Sequence, residues 1–253
     1  MDAGAILARY DAEIRAYPPT EAGVERVWAD GVLRTVGPYN FIGWWTFGAE
    51  EAAVAVAREA AFFRAKGVQW KVFGHDGPPN LAAALAAAGF EEDGPETFLA
   101  LDMDAVSPAF EPPPGIEVRQ VNDRAGAADL VAVSEAAFGR DEPWRLAQLV
   151  DRLDDPTQAL FVAYDGGAPV SSGRLELAPG KAFAGLYGGG TRPDYQGRGV
   201  YRALVTARAA EARRRGCRYL TVDARETSRP ILERIGFQPL TTLRDWTLAG
   251  AAP

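Results

Sequence analysis

The segment Gly185–Gly216, GLYGGGTRPDYQGRGVYRALVTARAAEARRRG, joins a glycine-rich strand pattern to a long helical pattern. The strand pattern ends before Pro193, a turn is predicted at Gln196–Gly199, and a helix with one apolar face begins directly after it. The first N–H groups of a helix have no acceptor within the helix, and the helix dipole is positive at that end. Because glycines let an anion approach the main chain, the segment predicts a site for a phosphate group.

Two other phosphate-binding motifs do not match the chain. A Walker A loop requires G-x-x-x-x-G-K-[ST], and the chain contains neither Lys-Ser nor Lys-Thr. The dinucleotide fingerprint G-x-G-x-x-G requires a third glycine, and this chain has Arg202 at that position. Neither of these two nucleotide-binding folds is therefore expected.

The same order of elements occurs twice in the chain. A helical pattern over Glu50–Lys66 ends at Gly67 and is followed by the strand pattern VQWKVF, a short helix and Gly89-Phe90. The pattern over Val200–Arg215 ends at Gly216 and is followed by CRYLTV, a short helix and Gly236-Phe237. The two glycine spacings, 22 and 20 residues, differ by only two positions, which predicts a duplicated domain.

Three consecutive prolines, Pro112–Pro114, separate the two copies, because they continue neither a helix nor a central strand. We therefore predict a linker at residues 108–115 between domains at 1–107 and 116–253. Turn dipeptides at Asp30-Gly31 and Gly166-Gly167, each between two strand patterns, predict a hairpin in either half. The predicted fold class is α/β, in an α+β arrangement, with a mixed, mainly antiparallel sheet flanked by helices in each domain.

Composition excludes several kinds of site. With 47 % hydrophobic and 24 % charged residues the chain has the balance of a globular protein. Cys217 and His75 are its single cysteine and histidine, so an intramolecular disulfide and a cysteine-based zinc site are excluded and no metal is expected. Neither the N-terminal residues nor the apolar run Leu81–Phe90 predicts a secretory signal or a membrane span, so we expect a cytoplasmic protein without membrane contact.

The charge is distributed unevenly along the chain. Residues 1–110 carry 8 Lys and Arg against 16 Asp and Glu, whereas residues 111–253 carry 19 against 18. Between Arg192 and Arg234 there are 11 arginines against 5 acidic residues, which is typical of a solvated helix face or of an anion-binding region. The net charge of the chain is −7, so binding to nucleic acid is not expected.

The motif Gln196–Tyr201, QGRGVY, resembles the Q/R-x-x-G-x-G/A motif of the GNAT superfamily of acyl-CoA-dependent N-acyltransferases. The later segments YLTVDA and RPILERIGF resemble the family's next strand and its helix with a Gly-Phe ending. The resemblance covers roughly residues 115–250, and residues 20–105 look like a degenerate copy without the motif. It implies two tandem GNAT-like domains and acetyl-CoA as cosubstrate.

The resemblance also implies roles for individual residues. The backbone of Gly189, Gly190 and Thr191 would run beside the pantetheine and acyl group, with one N–H polarising the thioester carbonyl; a β-bulge or a tightly packed strand is the alternative explanation of the glycines. Ser228 would donate a hydrogen bond to CoA, or it caps the following helix. The backbone amides expected to hold the pyrophosphate are those of Gln196, Gly197, Arg198, Gly199, Val200 and Tyr201.

Two positions depart from the family's pattern. Tyr201 stands where the family has Gly or Ala, which requires that its side chain point away from the phosphates. Leu232 stands where the family often has a tyrosine that protonates the departing thiolate. Glu176 and Tyr187 are the candidates for the general base that takes the proton of the amine; an exposed edge position and ordinary core packing, respectively, are the alternatives.

The resemblance implies transfer of an acetyl group from acetyl-CoA to a primary amine by direct attack, the acceptor being a small-molecule amine or an exposed amino group. The alternative is a non-catalytic CoA-binding sensor or assembly module. In the N-terminal copy the corresponding helix starts at Gly48-Ala49-Glu50-Glu51, and these carboxylates would repel a pyrophosphate. That half is therefore predicted not to bind CoA and to have a structural role, with a homodimer as a candidate assembly.

Overall fold

The structure is a computed structural model of the chain, and it describes residues 2–21, 23–140 and 143–250. These residues form two compact units. The N-terminal unit contains Asp2–Phe98, Ala224–Glu226 and the chain from Leu240 onward, and the C-terminal unit contains Leu99–Asp223 and Thr227–Pro239. The first unit is thus completed by residues from the far end of the sequence.

The helices and strands follow one another in an order that repeats between the halves. The first half contains α1 (Ala3–Tyr10), which continues into a π-helical turn (Asp11–Arg15), then β1 (Glu25–Ala29), β2 (Val32–Val36), β3 (Phe41–Trp45), α2 (Ala52–Phe63), β4 (Val68–Phe73), α3 (Leu81–Ala87), β5 (Glu91–Glu92) and β6 (Glu96–Asp102). The second half contains β7 (Ile116–Val121), α4 (Arg124–Phe138), α5 (Pro143–Val150), β8 (Gln158–Asp165), β9 (Ala168–Leu177), β10 (Phe183–Thr191), a 3-10 turn (Pro193–Tyr195), α6 (Val200–Arg214), β11 (Tyr219–Ala224), α7 (Arg229–Ile235) and β12 (Gln238–Leu248).

The N-terminal unit is built on a sheet with the strand order β1-β2-β3-β4-β12. β3 and β4 are parallel, and the other pairs are antiparallel. β12 runs antiparallel to β4 on the side opposite β3, from Leu243 opposite Phe73 to Leu248 opposite Val68. Helices α2 and α3 cover this sheet through a core that includes the fully buried Trp70.

The C-terminal unit contains the strand order β6-β11-β10-β9-β8-β7. β10 and β11 are parallel, whereas β7, β8, β9 and β10 form an antiparallel series. The first residue of α6, Val200, packs on Ala163 of β8 and Val170 of β9, and this contact fixes the start of the helix against the sheet. Both units therefore have the mixed, mainly antiparallel sheet flanked by helices that the sequence predicts.

Local features confirm most of the predicted elements. Both hairpins form at the predicted turns, and α6 begins at Val200 as predicted. α2 is shorter than the predicted Glu50–Lys66, because Glu51 takes the N-cap position and accepts a hydrogen bond from the amide of Gly48 at 3.0 Å.

The two Gly-Phe endings have the same hydrogen bond. The amide of Phe90 donates to the carbonyl of Leu85 at 3.1 Å, and the amide of Phe237 donates to the carbonyl of Leu232, also at 3.1 Å. Both phenylalanines are buried beneath the helix that they follow. The repeat seen in the sequence is therefore also a repeat in local structure.

The compact units differ from the predicted contiguous domains in two places. The predicted linker, residues 108–115, lies within the C-terminal unit, where it forms neither helix nor strand. Residues from Leu240 onward belong to the N-terminal unit, because most of β12 pairs with β4. Local patterns do not specify which distant strand a segment will pair with. The prediction from sequence therefore assigned the residues of β12 to the same domain as their neighbours in the chain.

His75 lies in an exposed turn and Cys217 is buried. Burial raises the pKa of the Cys217 thiol. In the ranges that the structure describes, no three His, Cys, Asp or Glu side chains gather as metal ligands. The same ranges contain no helix with the length and apolarity needed to cross a bilayer.

Candidate functional site

The loop between β10 and α6 is shaped by two glycines with left-handed backbone conformations. Gly197 has a φ of 73° and Gly199, the N-cap of α6, a φ of 86°, and these angles strain any residue with a Cβ. The Gln196 side chain anchors the loop to the end of β10, since its Nε2 donates to the carbonyl of Thr191 at 3.2 Å. Thr191 itself is buried, with its hydroxyl 2.8 Å from that of Ser171.

The first amides at the entrance of α6 have no acceptor among the residues that the structure describes. The amide of Ala203 donates to the carbonyl of Gly199 at 3.2 Å, which is the first bond of the helix. Within the described part of the chain, none of the hydrogen bonds has an amide of residues 197–202 as its donor. Gln196 is different, because its amide donates to the carbonyl of Pro193 at 3.3 Å. The predicted set of phosphate-binding amides is corrected accordingly: it begins at Gly197.

Two guanidinium groups flank these amides, and each stacks on an aromatic ring. Cζ of Arg198 lies 4.9 Å from the ring centre of Tyr195, and Cζ of Arg202 lies 4.0 Å from that of Phe110. Neither arginine forms an ion pair with a carboxylate of the described residues. The helix dipole and two exposed cations thus combine to make the loop electropositive. Sequence reasoning missed Arg202 and Phe110: Arg202 lies one position beyond the motif, and Phe110 lies in a segment without a motif.

The Tyr201 side chain points away from the predicted phosphate site, as its position in the motif requires. A Cβ at Gly189 would lie 3.0 Å from Cε2 of Tyr201 and 3.4 Å from its hydroxyl, so the ring packs against β10 rather than into the loop. The large residue at the sixth motif position therefore leaves the amides at the helix start accessible.

Arg208 is completely buried and lies on the same face of α6 as Tyr201, two turns further along the helix. Its Nε and Nη1 donate to the carbonyls of Leu204 and Arg174, at 3.3 and 3.2 Å. Its Nη2 has no hydrogen-bond partner among the described residues. Burial lowers the pKa of this guanidinium, and the nearby Tyr201 hydroxyl opposes that effect. No sequence signal identified it, since arginine in a helix is ordinarily exposed.

Packing explains the glycines of β10. A Cβ at Gly190 would lie 2.8 Å from Cβ of Ala137 in α4, while Gly189 faces α6 through Tyr201 and Arg208. The register with β9 shifts between Tyr187 and Gly190, which is the bulge given above as the alternative explanation. The role of the Gly189, Gly190 and Thr191 backbone beside an acyl group stays a prediction.

An opening lies between β10 and β11. Their parallel pairing ends at Gly185 opposite Thr221, although β10 continues to Thr191 and β11 to Ala224. The bulge and the amide loop both follow this point along β10. The two strands and the start of α6 therefore bound one region of the C-terminal unit.

The two candidate bases lie on one face of the sheet beside this opening. Glu176 is directly opposite Gly185, and a Cβ at Gly185 would lie 2.5 Å from Cε2 of Tyr187, so the tyrosine ring covers the glycine next to Glu176. Glu176 is 43 % exposed and pairs with Arg174 at 3.1 Å. It belongs to an interior strand, β9, so the edge position given as the alternative to a catalytic role is wrong.

Ser228 and Leu232 belong to α7. Ser228 occupies the N-cap position, but its side chain makes no capping hydrogen bond. Its predicted contact with CoA remains a prediction. Leu232 is completely buried, so this position supplies no acid to the site.

The N-terminal unit has a corresponding opening, and an arginine fills it. The parallel pairing of β3 and β4 ends at Ile42 opposite Trp70, although both strands continue. Nε of Arg15 donates to the carbonyl of Gly43 at 3.2 Å, and its two Nη atoms bind the Asp76 carboxylate at 2.8 and 2.7 Å. Burial by itself would lower the pKa of the Arg15 guanidinium. Its hydrogen bonds and charge interactions with Asp76 and Asp11 are stronger, so the pKa is raised.

A cavity of about 210 Å³ remains beside Arg15. The carboxylates in its wall already have partners, since Asp76 binds Arg15 and Asp11 lies 2.9 Å from Nε2 of His75. The start of α2 differs from that of α6 as well, because Glu51 places a carboxylate at the helix entrance. These features give a physical reason for the prediction that this half does not bind CoA.

Comparison with known proteins finds a family match for most of the C-terminal half. Residues 127–237 match the sequence model of the acetyltransferase (GNAT) family, a range that includes β10, the amide loop and α6. No curated protein matches the chain.

Solved structures share the fold of nearly the whole chain. A GCN5-related N-acetyltransferase from Kribbella flavida matches with a TM-score of 0.67 and 17 % identity, over 98 % of this chain and 95 % of its own. A GCN5-related N-acetyltransferase from Sphaerobacter thermophilus matches with a TM-score of 0.63 and 18 % identity, over 99 % and 94 %. A tandem GNAT protein from the clavulanic acid biosynthesis pathway matches with a TM-score of 0.63 and 16 % identity, over 93 % and 86 %. Residues 127–237 of the chain thus match the acetyltransferase (GNAT) family model, within a fold that the chain shares with a tandem GNAT protein.

Proposed function

We propose that the C-terminal domain transfers an acetyl group from acetyl-CoA to a primary amine. The observation that carries this proposal is the set of unbonded amides at residues 197–202, at the start of a 15-residue helix in a domain of an acetyltransferase family. Such amides and the helix dipole favour a diphosphate. Arg198 and Arg202 add two positive charges beside them.

In the proposed reaction the amine nitrogen attacks the thioester carbonyl carbon directly, and the bond from carbon to sulfur breaks. A backbone N–H of Gly189, Gly190 or Thr191 would polarise the carbonyl, an interaction of about 3–4 kcal/mol where a comparable donor has been removed from other enzymes. The thiolate would take its proton from solvent, because Leu232 offers none and a thiol with a pKa of about 8.5 leaves readily.

The amine must lose a proton, and Glu176 with Tyr187 is the proposed route. Both lie on the sheet face beside the opening between β10 and β11, with Arg174 paired to the glutamate. Glu176→Gln is expected to lower kcat by about 100-fold or more, as for loss of a general base. Glu117→Gln is the matched control, because Glu117 also pairs with an arginine two residues away on a strand. Equal rates for both variants would remove Glu176 from the mechanism.

The proposed acceptor is a small-molecule amine or an exposed amino group, with neither nucleic acid nor membrane as a partner. The N-terminal unit would support the active half, and homodimerisation is the proposed assembly to be measured. The closed opening at Arg15 supports a structural role for that unit.

The test combines calorimetric binding of acetyl-CoA with release of free thiol across a panel of amines. Binding together with amine-dependent thiol release is the expected result. Binding without release on any amine would replace the transferase with the CoA-binding sensor or assembly module. Absence of binding would reject both functions.

A further inference from the structure

Phe110 lies in the proline-rich segment, residues 108–115, and its ring is next to Gly199, the N-cap residue of α6. A Cβ at Gly199 would lie 3.0 Å from Cζ and 3.1 Å from Cε1 of its ring. The ring also contacts Arg202, whose Cζ is 4.0 Å from the ring centre. Phe110 therefore occupies the space between the N-cap residue of the helix and a cation of its first turn.

The stack fixes a group that would otherwise be mobile. Arg202 is exposed, and no carboxylate of the described residues pairs with it, so the aromatic ring is the contact that orients its guanidinium. A guanidinium held in one orientation loses less entropy when it binds an anion. The nearest features that attract an anion are the unbonded amides of residues 197–202.

The sequence around Phe110 suits this task. Pro108 precedes it by two residues and Pro112–Pro114 follow, so the backbone on both sides has few conformations to lose. A stiff segment without helix or strand can hold a ring in place without being part of the sheet.

We propose that Phe110 is a positioning residue for CoA binding: it orients the guanidinium of Arg202 toward a phosphate group of the coenzyme. The proline-rich segment would then be part of the coenzyme site as well as a connection between the two halves. This inference rests on the proposed function, because it assumes that acetyl-CoA binds at the loop.

The experiment measures affinity and steady-state rates for three acyl donors: acetyl-CoA, its 3′-dephospho form and S-acetylpantetheine, which has no phosphate of the nucleotide. Arg202→Gln is expected to raise the Kd and KM for acetyl-CoA about tenfold, as for loss of a charged hydrogen bond. Phe110→Ala is expected to raise them about threefold, as for loss of an exposed cation–π contact. Neither variant should change kcat or the KM for S-acetylpantetheine.

Phe110→Tyr should restore the affinity, because it keeps the ring. Combining Phe110→Ala with Arg202→Gln should add little to Arg202→Gln alone, since Phe110 acts through Arg202. Phe62→Ala is the matched control, because Phe62 is an exposed ring stacked on Arg34 in the N-terminal unit, with Cζ 4.2 Å from the ring centre.

The donors separate the outcomes. A loss confined to acetyl-CoA assigns Arg202 to the 3′-phosphate, and an equal loss with the 3′-dephospho form assigns it to the diphosphate; either supports the proposal. An unchanged Kd in Phe110→Ala, an equal loss with S-acetylpantetheine, or additive effects of the two substitutions would overturn it. Failure of the unaltered protein to bind acetyl-CoA would instead reject the proposed function.

Discussion

The two halves contain the same opening between parallel strands, but its surroundings differ. In the C-terminal unit, the strand after the opening leads to unbonded amides flanked by Arg198 and Arg202. In the N-terminal unit, the opening holds the Arg15–Asp76 pair, and Glu51 stands at the start of the helix. An internal guanidinium and a carboxylate at the helix entrance thus stand in the N-terminal unit where the C-terminal unit has an open region and unbonded amides.

The buried charges on the corresponding helices differ in the same way. Aligning Gly67 with Gly216 places Glu59 of α2 at the position of Arg208 in α6, and both side chains are 0 % exposed. Glu59 binds Arg34 of β2 through two hydrogen bonds, at 2.6 and 2.8 Å. Arg208 donates to two carbonyls and lies near the Tyr201 hydroxyl, but no carboxylate of the described residues pairs with it. In the N-terminal copy the buried charge of Glu59 is therefore compensated by Arg34, whereas in the C-terminal copy the buried charge of Arg208 is compensated only in part.

Replacing the arginine that fills the N-terminal opening has the largest expected effect. Arg15→Met leaves the Asp76 carboxylate, which is 8 % exposed, without its cation and should lower the free energy of unfolding by about 3–5 kcal/mol. Tryptophan fluorescence in denaturant reports this unit, because Trp144 is the one tryptophan outside it. Arg9→Met, which breaks an exposed pair with Glu13, should cost less than about 1 kcal/mol. Equal costs would show that Arg15 does not hold the opening closed.

Loss of the buried carboxylate in α2 should cost slightly less. Glu59→Gln keeps the size of the side chain but leaves the Arg34 guanidinium with a neutral acceptor, and about 3 kcal/mol of unfolding free energy should be lost. The same fluorescence measurement applies, with Glu13→Gln as the exposed control. A cost below about 1 kcal/mol would mean that the pair with Arg34 does not compensate the buried charge of Glu59.

Giving the C-terminal loop a carboxylate, as the N-terminal loop has, should abolish CoA binding. Gly199→Glu adds a negative charge and a strained backbone at the helix entrance, beside the amides expected to hold the diphosphate, and its Cβ would crowd the Phe110 ring at 3.0 Å. The Kd should rise at least about 100-fold, or about 2.7 kcal/mol. Gly180→Glu is the matched control, because it adds the same charge at an exposed glycine that is also left-handed and has open space around it. Circular dichroism should show both variants folded. Unchanged affinity in Gly199→Glu would refute the assignment of the loop.

The smallest effect on stability is expected at Arg208. Arg208→Met removes a buried charge that lacks a carboxylate, so the lost hydrogen bonds and the relieved desolvation should nearly cancel. The free energy of unfolding, followed by far-ultraviolet circular dichroism, should change by less than about 1 kcal/mol. A loss near 3 kcal/mol, as expected for Glu59→Gln, would mean that the two helix positions are equally compensated.

Features with a local cause could be predicted from the sequence. The hairpins follow from Asp30-Gly31 and Gly166-Gly167, and the Gly-Phe endings follow from a helix stop and a buried ring. The start of α6 follows from glycines that tolerate left-handed angles. Pairing of β12 with β4 has no such cause, because strand partners are chosen by packing across the whole unit.

The same distinction applies to the candidate site. The amide loop is a continuous segment, so its motif identified it, apart from the Gln196 amide that bonds to Pro193. Phe110 and Arg15 reach their positions through tertiary contacts with residues far away in the chain. Neither a phenylalanine between prolines nor an arginine after an amphipathic helix has a sequence pattern from which such a contact could be predicted.

The pairing of β12 with β4 also sets the order in which the molecule is completed. The sheet edge at β4 stays without its neighbour until residue 248 has been synthesised, about 150 residues after the first compact segment ends at Phe98. At about 5–20 residues per second, ribosomal synthesis leaves that edge exposed for roughly 8–30 s. The half that is made first is therefore finished last, and during this interval a nascent chain is most exposed to pairing with another copy or to capture by chaperones.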